Sequence, residues 1–171
     1  GPPLTISGLS VPAKGNVTVI YQAKTNDYAP LAQESSITNT ATINANNIAN
    51  PITASATVNA YSEPVLRISK SLTPTTVSEN GQLTYTFIIQ NYGNTAADEA
   101  AALIVSDRFD PILNPITVAF NGTAWTEGTE YTYDATTGQF VSTAGIITVP
   151  AASYTQDAAT GAISIVPGSA T

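Results

Sequence analysis

The sequence predicts an all-β protein folded as a β-sandwich. Its composition is dominated by Thr, Ala, Ser, Asn, Ile and Val, and Thr, Ile, Val and the eight Tyr favour strands. The 11 Gly and 11 Pro supply turns between short segments. Those segments return at nearly regular spacing and are separated by turn dipeptides such as Asn80-Gly81 and Asn121-Gly122. Many short strands in this arrangement are typical of a sandwich.

Alternating apolar and polar residues predict thirteen strands. In chain order they are Leu4–Ser7, Val17–Ala23, Ser36–Ile43, Ile52–Ala60, Val65–Ser71, Gln82–Asn91, Ala102–Phe109, Thr117–Phe120, Tyr131–Tyr133, Phe140–Ser142, Ile146–Val149, Tyr154–Gln156 and Ala162–Val166. The stretch Ala96–Leu103 is expected to form no more than a short helical turn.

The last third of the chain contains an internal repeat. YTYDATTGQF (Tyr131–Phe140) returns as YTQDAATGAI (Tyr154–Ile163), and each copy predicts a hairpin whose turn holds its glycine in the left-handed region. The aspartates of the two turns are expected to accept backbone N–H bonds. The alternative is a calcium site, which needs about six to eight converging oxygens. The final predicted strand lacks a neighbour, and Leu4–Gly8 is the expected partner.

The charge and the missing residue types exclude several functions. A net charge of -7 with five basic residues argues against nucleic acid and against anionic lipid as partners. The chain has no Cys and no His, which removes disulfides, thiolate and imidazole catalysis, and the usual zinc or haem ligands. We therefore expect no cofactor and no metal. No apolar run approaches the roughly 20 residues of a membrane span, so direct membrane insertion is not expected. The absent initiator Met predicts a processed chain or an excised piece of a longer one.

Three polar residues interrupt rows of side chains that should face the core. Lys70 lies in the row of Leu66, Ile68 and Leu72, because side chains alternate between the faces of a strand. The other two interruptions are Asn39 in the row Ile37, Asn39, Ala41, Ile43 and Asp107 in the row Leu103, Val105, Asp107, Phe109. Burying any one of them alone is costly, by several kcal/mol for an ion. One shared site therefore explains them better than three separate defects.

If the three meet, their chemistry predicts a cross-link. Burial disfavours the charged forms, so a neutral Lys70 amine would lie beside a neutral Asp107 acid. The amine is a nucleophile, the Asn39 amide is the electrophile, and Asp107 is the proton shuttle. The product is an isopeptide bond formed once, without turnover. The alternatives are a buried Lys70–Asp107 ion pair with Asn39 bonded to backbone, or a strand whose opposite face points inward.

The same residues resemble a known family. ISKSLTPTTVSENGQLTYTFIIQNYGN, LIVSDRF and SITNTATI are similar to the conserved-repeat surface domain of bacterial envelope proteins, although Asp110-Pro111 is shifted relative to that pattern. The Lys–Asp–Asn layout is similar to the collagen-adhesin type A domains that form isopeptide bonds. The resemblance implies an immunoglobulin-like or collagen-adhesin-like sandwich, an extracellular location at the cell surface or in an appendage, and Lys70, Asp107 and Asn39 as the triad.

One departure from the family pattern predicts how the chain is divided. In the family the Asn strand closes the domain, whereas Asn39 here precedes Lys70. Residues 1–60 therefore read as the back half of one repeat, and residues 61–171 as the front half of the next. Either the halves close on each other as a permuted sandwich, or residues 1–60 donate strands to a neighbouring copy.

Three functions follow from these interpretations. The first is a structural subunit or repeat of a surface fibre, stalk or filament whose partners are copies of itself or adjacent repeats. The second is an adhesin module for carbohydrate or host protein, with Trp125, Tyr131, Tyr133 and Tyr154 as an aromatic platform; the alternative for these rings is core packing. The third is a turnover enzyme. Acid pairs such as Glu127 and Glu130 are more typical of a solvated face, so no enzyme is expected.

Overall fold

The structure is a computed structural model and describes residues 4–26, 28–29, 32 and 35–171. These residues form β-strands, one short 3-10 turn at Glu99–Ala101 and no α-helix. The strands are β1 (Ser36–Ile43), β2 (Ile52–Asn59), β3 (Leu66–Thr73), β4 (Thr84–Asn91), β5 (Ser106–Arg108), β6 (Val118–Phe120), β7 (Thr123–Trp125), β8 (Tyr131–Asp134), β9 (Gln139–Ser142), β10 (Ser153–Gln156), β11 (Ile163–Val166) and β12 (Gly168–Ala170). The all-β prediction is confirmed.

The strands form five antiparallel sheets in the described part of the chain. Two have three strands, in the orders β12-β4-β3 and β5-β9-β8, and the pairs β1-β2, β6-β7 and β10-β11 complete the set. The three-stranded sheets face each other, since the Tyr85 ring of β4 lies 5.0 Å from the ring of Phe109, just beyond β5. This arrangement is sandwich-like, with a core between two layers.

Two clusters of buried residues form the core. The first contains Ile89, Ala97, Ile147, Val149 and Ala170, which come from β4, β12 and the segments between the strands. The second is aromatic and contains Phe109, Tyr131 and Phe140, with the rings of Tyr85 and Tyr133 packed against it. Both clusters belong to residues 61–171, and in the described residues every strand pairing joins strands on the same side of the 60/61 boundary.

Several predicted strands are absent or shorter in the structure. Two predicted strands, Leu4–Ser7 and Val17–Ala23, are exposed and belong to no sheet. An extended segment becomes a strand only where the edge of a neighbouring strand satisfies its backbone N–H and C=O groups. Ala102–Phe109 shortens to β5, since the 3-10 turn ends in a left-handed Ala102. Ile146–Val149 contributes only a single bridge, between Val149 and Ala97.

Two strands were missed, one formed at a local turn and one paired with a distant strand. The turn at Asn121-Gly122 has positive φ at both residues, which is the geometry of a tight hairpin, and it brings β7 back along β6. β12 pairs with β4 at the end of the chain. Leu4–Gly8, the expected partner of the last hairpin, lies outside every sheet, so this pairing does not form within the single chain.

The repeated turns of the last third are confirmed as hairpins of one design. Asp134–Gly138 joins β8 to β9 and Asp157–Gly161 joins β10 to β11. In each turn the glycine N–H donates to the aspartate carbonyl at 2.8 Å. Both glycines have φ above +70°, a conformation that residues with a Cβ rarely adopt.

Candidate cross-linking site

Lys70 lies in the inward row of β3. It pairs directly opposite Phe87 of β4, and its neighbour Ile68 pairs opposite Ile89. Directly opposed residues of an antiparallel pair share a face, so Lys70 lies on the side of the sheet that buries Ile89. The alternation read from the sequence therefore places the lysine where the structure has it.

Asp107 reaches the same space from the opposite sheet. It lies in β5, directly across from the buried Phe140 of β9. The Lys70 ammonium donates a hydrogen bond to Asp107 Oδ2 at 2.5 Å, which is short for an N–H···O bond. This contact joins the two layers of the sandwich near one edge, because β3 and β5 are outer strands of their sheets.

Three aromatic rings surround the lysine. Its Nζ lies 4.8 Å from the centre of the Tyr85 ring, 5.4 Å from Phe87 and 5.5 Å from Phe109. Ring faces attract a cation, and this attraction becomes stronger as water is removed. The rings and the carboxylate together therefore hold the ammonium in place. The pair is nevertheless open to water on one side, since the Lys70 side chain is 40% exposed and that of Asp107 is 18% exposed.

Asn39, the third member of the predicted triad, lies in a different sheet. It is the fourth residue of β1 and pairs opposite Ala56 of β2. Its side-chain amide donates to the Tyr21 hydroxyl at 2.9 Å. The structure therefore brings Lys70 and Asp107 together within the chain and places Asn39 on the separate hairpin β1-β2.

That hairpin has one apolar and one polar face. The apolar face carries Asn39 and the residues Ile37, Ala41, Ile43, Ile52, Ala54, Ala56 and Val58. The polar face is made of Ser, Thr and Asn, and its hydroxyls bond across the strands, Thr38 to Thr57 and Thr40 to Ser55, each at 2.8 Å. Every residue of both strands is exposed, including Ile43 and Ile52 at more than half of their surface. The apolar face is thus built like a buried one and is uncovered.

The inward row of β3 is uncovered as well. Ile68 stands beside Lys70 in that row and is 59% exposed, although it pairs opposite the buried Ile89. β3 is hydrogen-bonded to β4 on one side, and no strand of the described residues lies on its other side. The inner face of this edge is therefore an apolar surface that no strand of the described residues covers.

The proposed aromatic platform is packed into the fold. Tyr131 is buried, and its pKa is raised by that burial and by the nearby Glu127 carboxylate. Trp125 is half-buried with its ring 5.4 Å from that of Phe120. The Tyr133 hydroxyl donates to the carbonyl of Leu113. These contacts are the core packing that the sequence left open as the alternative.

Tyr154, the fourth ring of that set, is also partly buried. Its hydroxyl donates to the carbonyl of Tyr92, and burial raises its pKa. The ring therefore belongs to the contact between the β10-β11 hairpin and the end of β4.

The two turn aspartates are occupied by their own turns. Asp134 accepts from the Thr136 N–H and the Thr137 hydroxyl, and the hydroxyl bond is the first cause of its lowered pKa. Asp157 accepts from Thr160 and from the Ala159 N–H, which lower its pKa in the same way. Nowhere in the described part of the chain do three His, Cys, Asp or Glu converge on a point that could hold a metal ion.

Sequence reasoning missed the residues that hold the junction between the hairpin and the sandwich. Asn91 is fully buried; its Oδ1 accepts from the N–H of Val65 and of Gly93, and its Nδ2 donates to the Thr95 carbonyl. Asn94 accepts from the Glu63 N–H, and its amide donates to the Tyr61 carbonyl. The signal was present in the NYGN motif, which was read only as part of the resemblance.

The glycine of that motif explains its place in the sequence. A Cβ on Gly93 would overlap the backbone of Glu63, Pro64 and Val65. The junction segment therefore lies directly against the turn, where only glycine fits. Asn91, Gly93 and Asn94 fix the direction in which the chain leaves the sandwich toward β2.

No family model matches this chain, and neither a search of curated proteins nor one of solved structures finds a similar protein. Within the described residues, no helix is long and apolar enough to cross a membrane. The resemblance to the conserved-repeat surface domains therefore stays a prediction that the local motifs alone carry.

Proposed function

We propose that the chain is a structural subunit or repeat of an extracellular bacterial surface fibre, stalk or filament, assembled by strand donation and locked by Lys70–Asn39 isopeptide bonds. The observation that carries the proposal is a pair of uncovered surfaces in one chain. The hairpin β1-β2 offers an apolar face interrupted only by Asn39, and the edge of the sandwich offers Lys70 and Asp107 beside the exposed Ile68.

Docking of the hairpin on this edge brings the three reactive groups together. It covers the Lys70–Asp107 pair and removes the water that now reaches it, which favours the neutral forms of both groups. One proton passes from the ammonium to the carboxylate along the existing hydrogen bond. The result is a neutral amine beside a neutral acid, the state in which the amine is nucleophilic.

The covalent step balances without any added reagent. The Lys70 amine attacks the side-chain carbonyl carbon of Asn39 while the Asp107 acid donates a hydrogen bond to the carbonyl oxygen. A proton from the attacking nitrogen passes through Asp107 to the amide nitrogen of Asn39. Ammonia leaves, an amide bond joins the two side chains, and the carboxyl group of Asp107 returns to its starting form.

Donation between units is favoured over closure within one unit. The junction segment ahead of β3 is held by Asn91 and Asn94, so the hairpin leaves the sandwich in a fixed direction. A contact between two different surfaces of identical units propagates as a filament when the rotation between units does not close a ring. In a chain without cysteine, the isopeptide bond serves as a cross-link that reductants do not cleave.

Two complementary variants test the proposal. Lys70→Met keeps the donor hairpin and removes the nucleophile, whereas Asn39→Ala keeps the acceptor edge and removes the electrophile. The wild-type chain should form a ladder that survives boiling in denaturant, with each junction lighter by one ammonia in the denatured mass. Each variant alone should stay a single chain, and a mixture of the two should stop at a covalent dimer.

Two other outcomes would contradict the proposal in different ways. A wild-type monomer lighter by one ammonia, with no dimer in the mixture, would mean that the bond closes within one chain. A wild-type monomer at the mass of its sequence would remove the isopeptide bond altogether and leave Lys70 and Asp107 as an ion pair.

A further inference from the structure

The apolar face of hairpin β1-β2 has a hollow at its centre. Asn39 pairs opposite Ala56, and the next pair along the face toward the β1 C-terminus is Ala41 opposite Ala54. The large side chains stand at the four corners of the face, with Ile37 opposite Val58 at one end and Ile43 opposite Ile52 at the other. The four central positions therefore hold Asn39 and three methyl side chains, and the bulkier side chains at the two ends form the rim.

The hollow has the dimensions of one long, thin side chain. Strands of a sheet lie about 4.8 Å apart and residues of one row are about 7 Å apart, so the four central positions outline a short trough. A long side chain already reaches the amide in this chain, since the Tyr21 hydroxyl accepts a hydrogen bond from Asn39. All three alanines are exposed.

Lys70 has the matching shape. Its ammonium lies among three rings at the edge of the sandwich, and its stem of four methylene groups is apolar. An apolar stem packs on alanine methyls without loss, while a leucine or valine at the same position would occupy its path. Asn39 is the one polar group of the face, so the amine meets it only if the stem can lie over the alanines.

We infer that the alanine hollow around Asn39 is the receptacle for Lys70 of the neighbouring unit, and that Ala41, Ala54 and Ala56 determine whether that lysine reaches the amide. This rests on the proposed function and specifies the partner surface of the same site. The three alanines are positioning residues, since they act through the placement of Lys70.

A larger side chain at position 56 distinguishes this inference from simple hydrophobic docking, because the two predict opposite changes in the rate of cross-linking. If the hairpin associates only through its apolar area, a larger apolar side chain at position 56 strengthens docking and speeds the cross-link. If the hollow receives Lys70, the same substitution blocks the approach. An error of about 1 Å in the position of a reacting group can cost on the order of 100-fold in rate.

The experiment compares Ala56→Leu with Ser55→Leu, in the full chain, by following the denatured mass with time. Position 55 neighbours position 56 but lies on the polar face, where its hydroxyl bonds that of Thr40. Ala56→Leu should lower the rate of cross-linking about 100-fold, and Ser55→Leu should change it less than about threefold. Ala56→Val provides a second variant, because a β-branched residue suits a strand and keeps the hairpin folded.

Each result decides the inference. A rate for Ala56→Leu and Ala56→Val equal to or above that of the wild type overturns the hollow while leaving the isopeptide bond in place. Loss of the cross-link in Ser55→Leu to the same extent as in Ala56→Leu would also overturn it, because the effect would then not depend on the face. A wild-type chain that forms no cross-link removes the proposed function and this inference together.

Discussion

The strand pairs β1-β2 and β3-β4 have the same size and very different surroundings. Each consists of two eight-residue strands in full antiparallel register. Every residue of β1 and β2 is exposed, whereas β4 buries Ile89 in the first core cluster and Asn91 against the junction segment. Strand pairing satisfies backbone groups in both, but burial requires a second layer, and an isolated two-stranded hairpin is only marginally stable in water. In the described residues the apolar face of β1-β2 therefore has no second layer over it, which is the surface that the proposed strand donation would use.

The largest expected effect tests whether the two regions react with each other. Asp107→Asn keeps the shape of the side chain and removes the proton shuttle, so the rate of cross-linking should fall by about 10²–10⁴-fold. Asp110→Asn is the matched control, because Asp110 is exposed and lies outside the contact with Lys70. Denatured masses taken over time measure both. A rate for Asp107→Asn equal to that of the control would remove Asp107 from the mechanism.

A pair of asparagine variants tests the contrast in stability. Asn91→Ala leaves the N–H of Val65, the N–H of Gly93 and the Thr95 carbonyl without their partner, at a cost of about 1–3 kcal/mol for each buried group left unpaired. Both variants are made in a Lys70→Met background, which forms no cross-link, and there Asn39→Ala on the exposed hairpin should change the free energy of unfolding by less than about 0.5 kcal/mol. Urea unfolding of the two variants measures the difference. Similar midpoints for the two variants would contradict the assignment of Asn91 as a residue that holds the junction segment ahead of β3.

Two isoleucine variants sharpen the comparison. Ile147 is 3% exposed in the first core cluster, so Ile147→Ala should lower the free energy of unfolding by about 2–5 kcal/mol. Ile52→Ala removes a side chain that is 54% exposed and should leave the unfolding of the single chain nearly unchanged while slowing the appearance of dimers. Urea unfolding in a Lys70→Met background separates stability from assembly. Equal losses at both positions would mean that the hairpin is already buried in solution.

How much of this could be predicted from the sequence depends on whether a feature is local. Alternation placed Lys70 in the inward row and the turn motifs predicted two hairpins of one design, because both depend on residues a few positions apart. Leu4–Ser7 has a strand-like pattern and forms no strand, since pairing depends on an edge elsewhere in the chain. The hydrogen bond from the Val65 N–H to Asn91 joins residues 26 positions apart, and the pattern within one strand carries no information on such a contact.

The candidate site also has a part that the sequence predicted and a part that it could not. The sequence predicted three polar interruptions and the structure brings two of them, Lys70 and Asp107, into contact. The alternation of each strand orients these two side chains inward, and the packing of the two sheets then brings them into contact. Asn39 lies apart from them on the hairpin β1-β2, and the alternation of single strands carries no information on how separate sheets are placed.

A smaller effect concerns acid stability. The turn of Asp134 lowers the pKa of its carboxyl through the Thr137 hydroxyl first, so the fold favours the charged form. Its stabilisation is present above the usual value of about 3.9 and is lost as the pH falls through the lower folded value. Thr137→Val should raise the pKa of Asp134 toward its ordinary value, and Thr132→Val on the same hairpin should leave it unchanged. Carboxyl chemical shifts followed through an acid titration report both.

The smallest effect concerns Tyr21, whose hydroxyl bonds the Asn39 amide in the single chain. Tyr21→Phe removes the hydroxyl that accepts from the Asn39 amide, and such an exposed hydrogen bond is worth about 0.5–1 kcal/mol. If that bond must break before Lys70 reaches the amide, the cross-link should form about two- to fivefold faster in the variant. Tyr61→Phe is the control, since Tyr61 is exposed and its contact with Asn94 uses its backbone carbonyl. A slower reaction in Tyr21→Phe would mean instead that the hydroxyl orients the amide for attack, and Tyr21 would then belong to the reacting site.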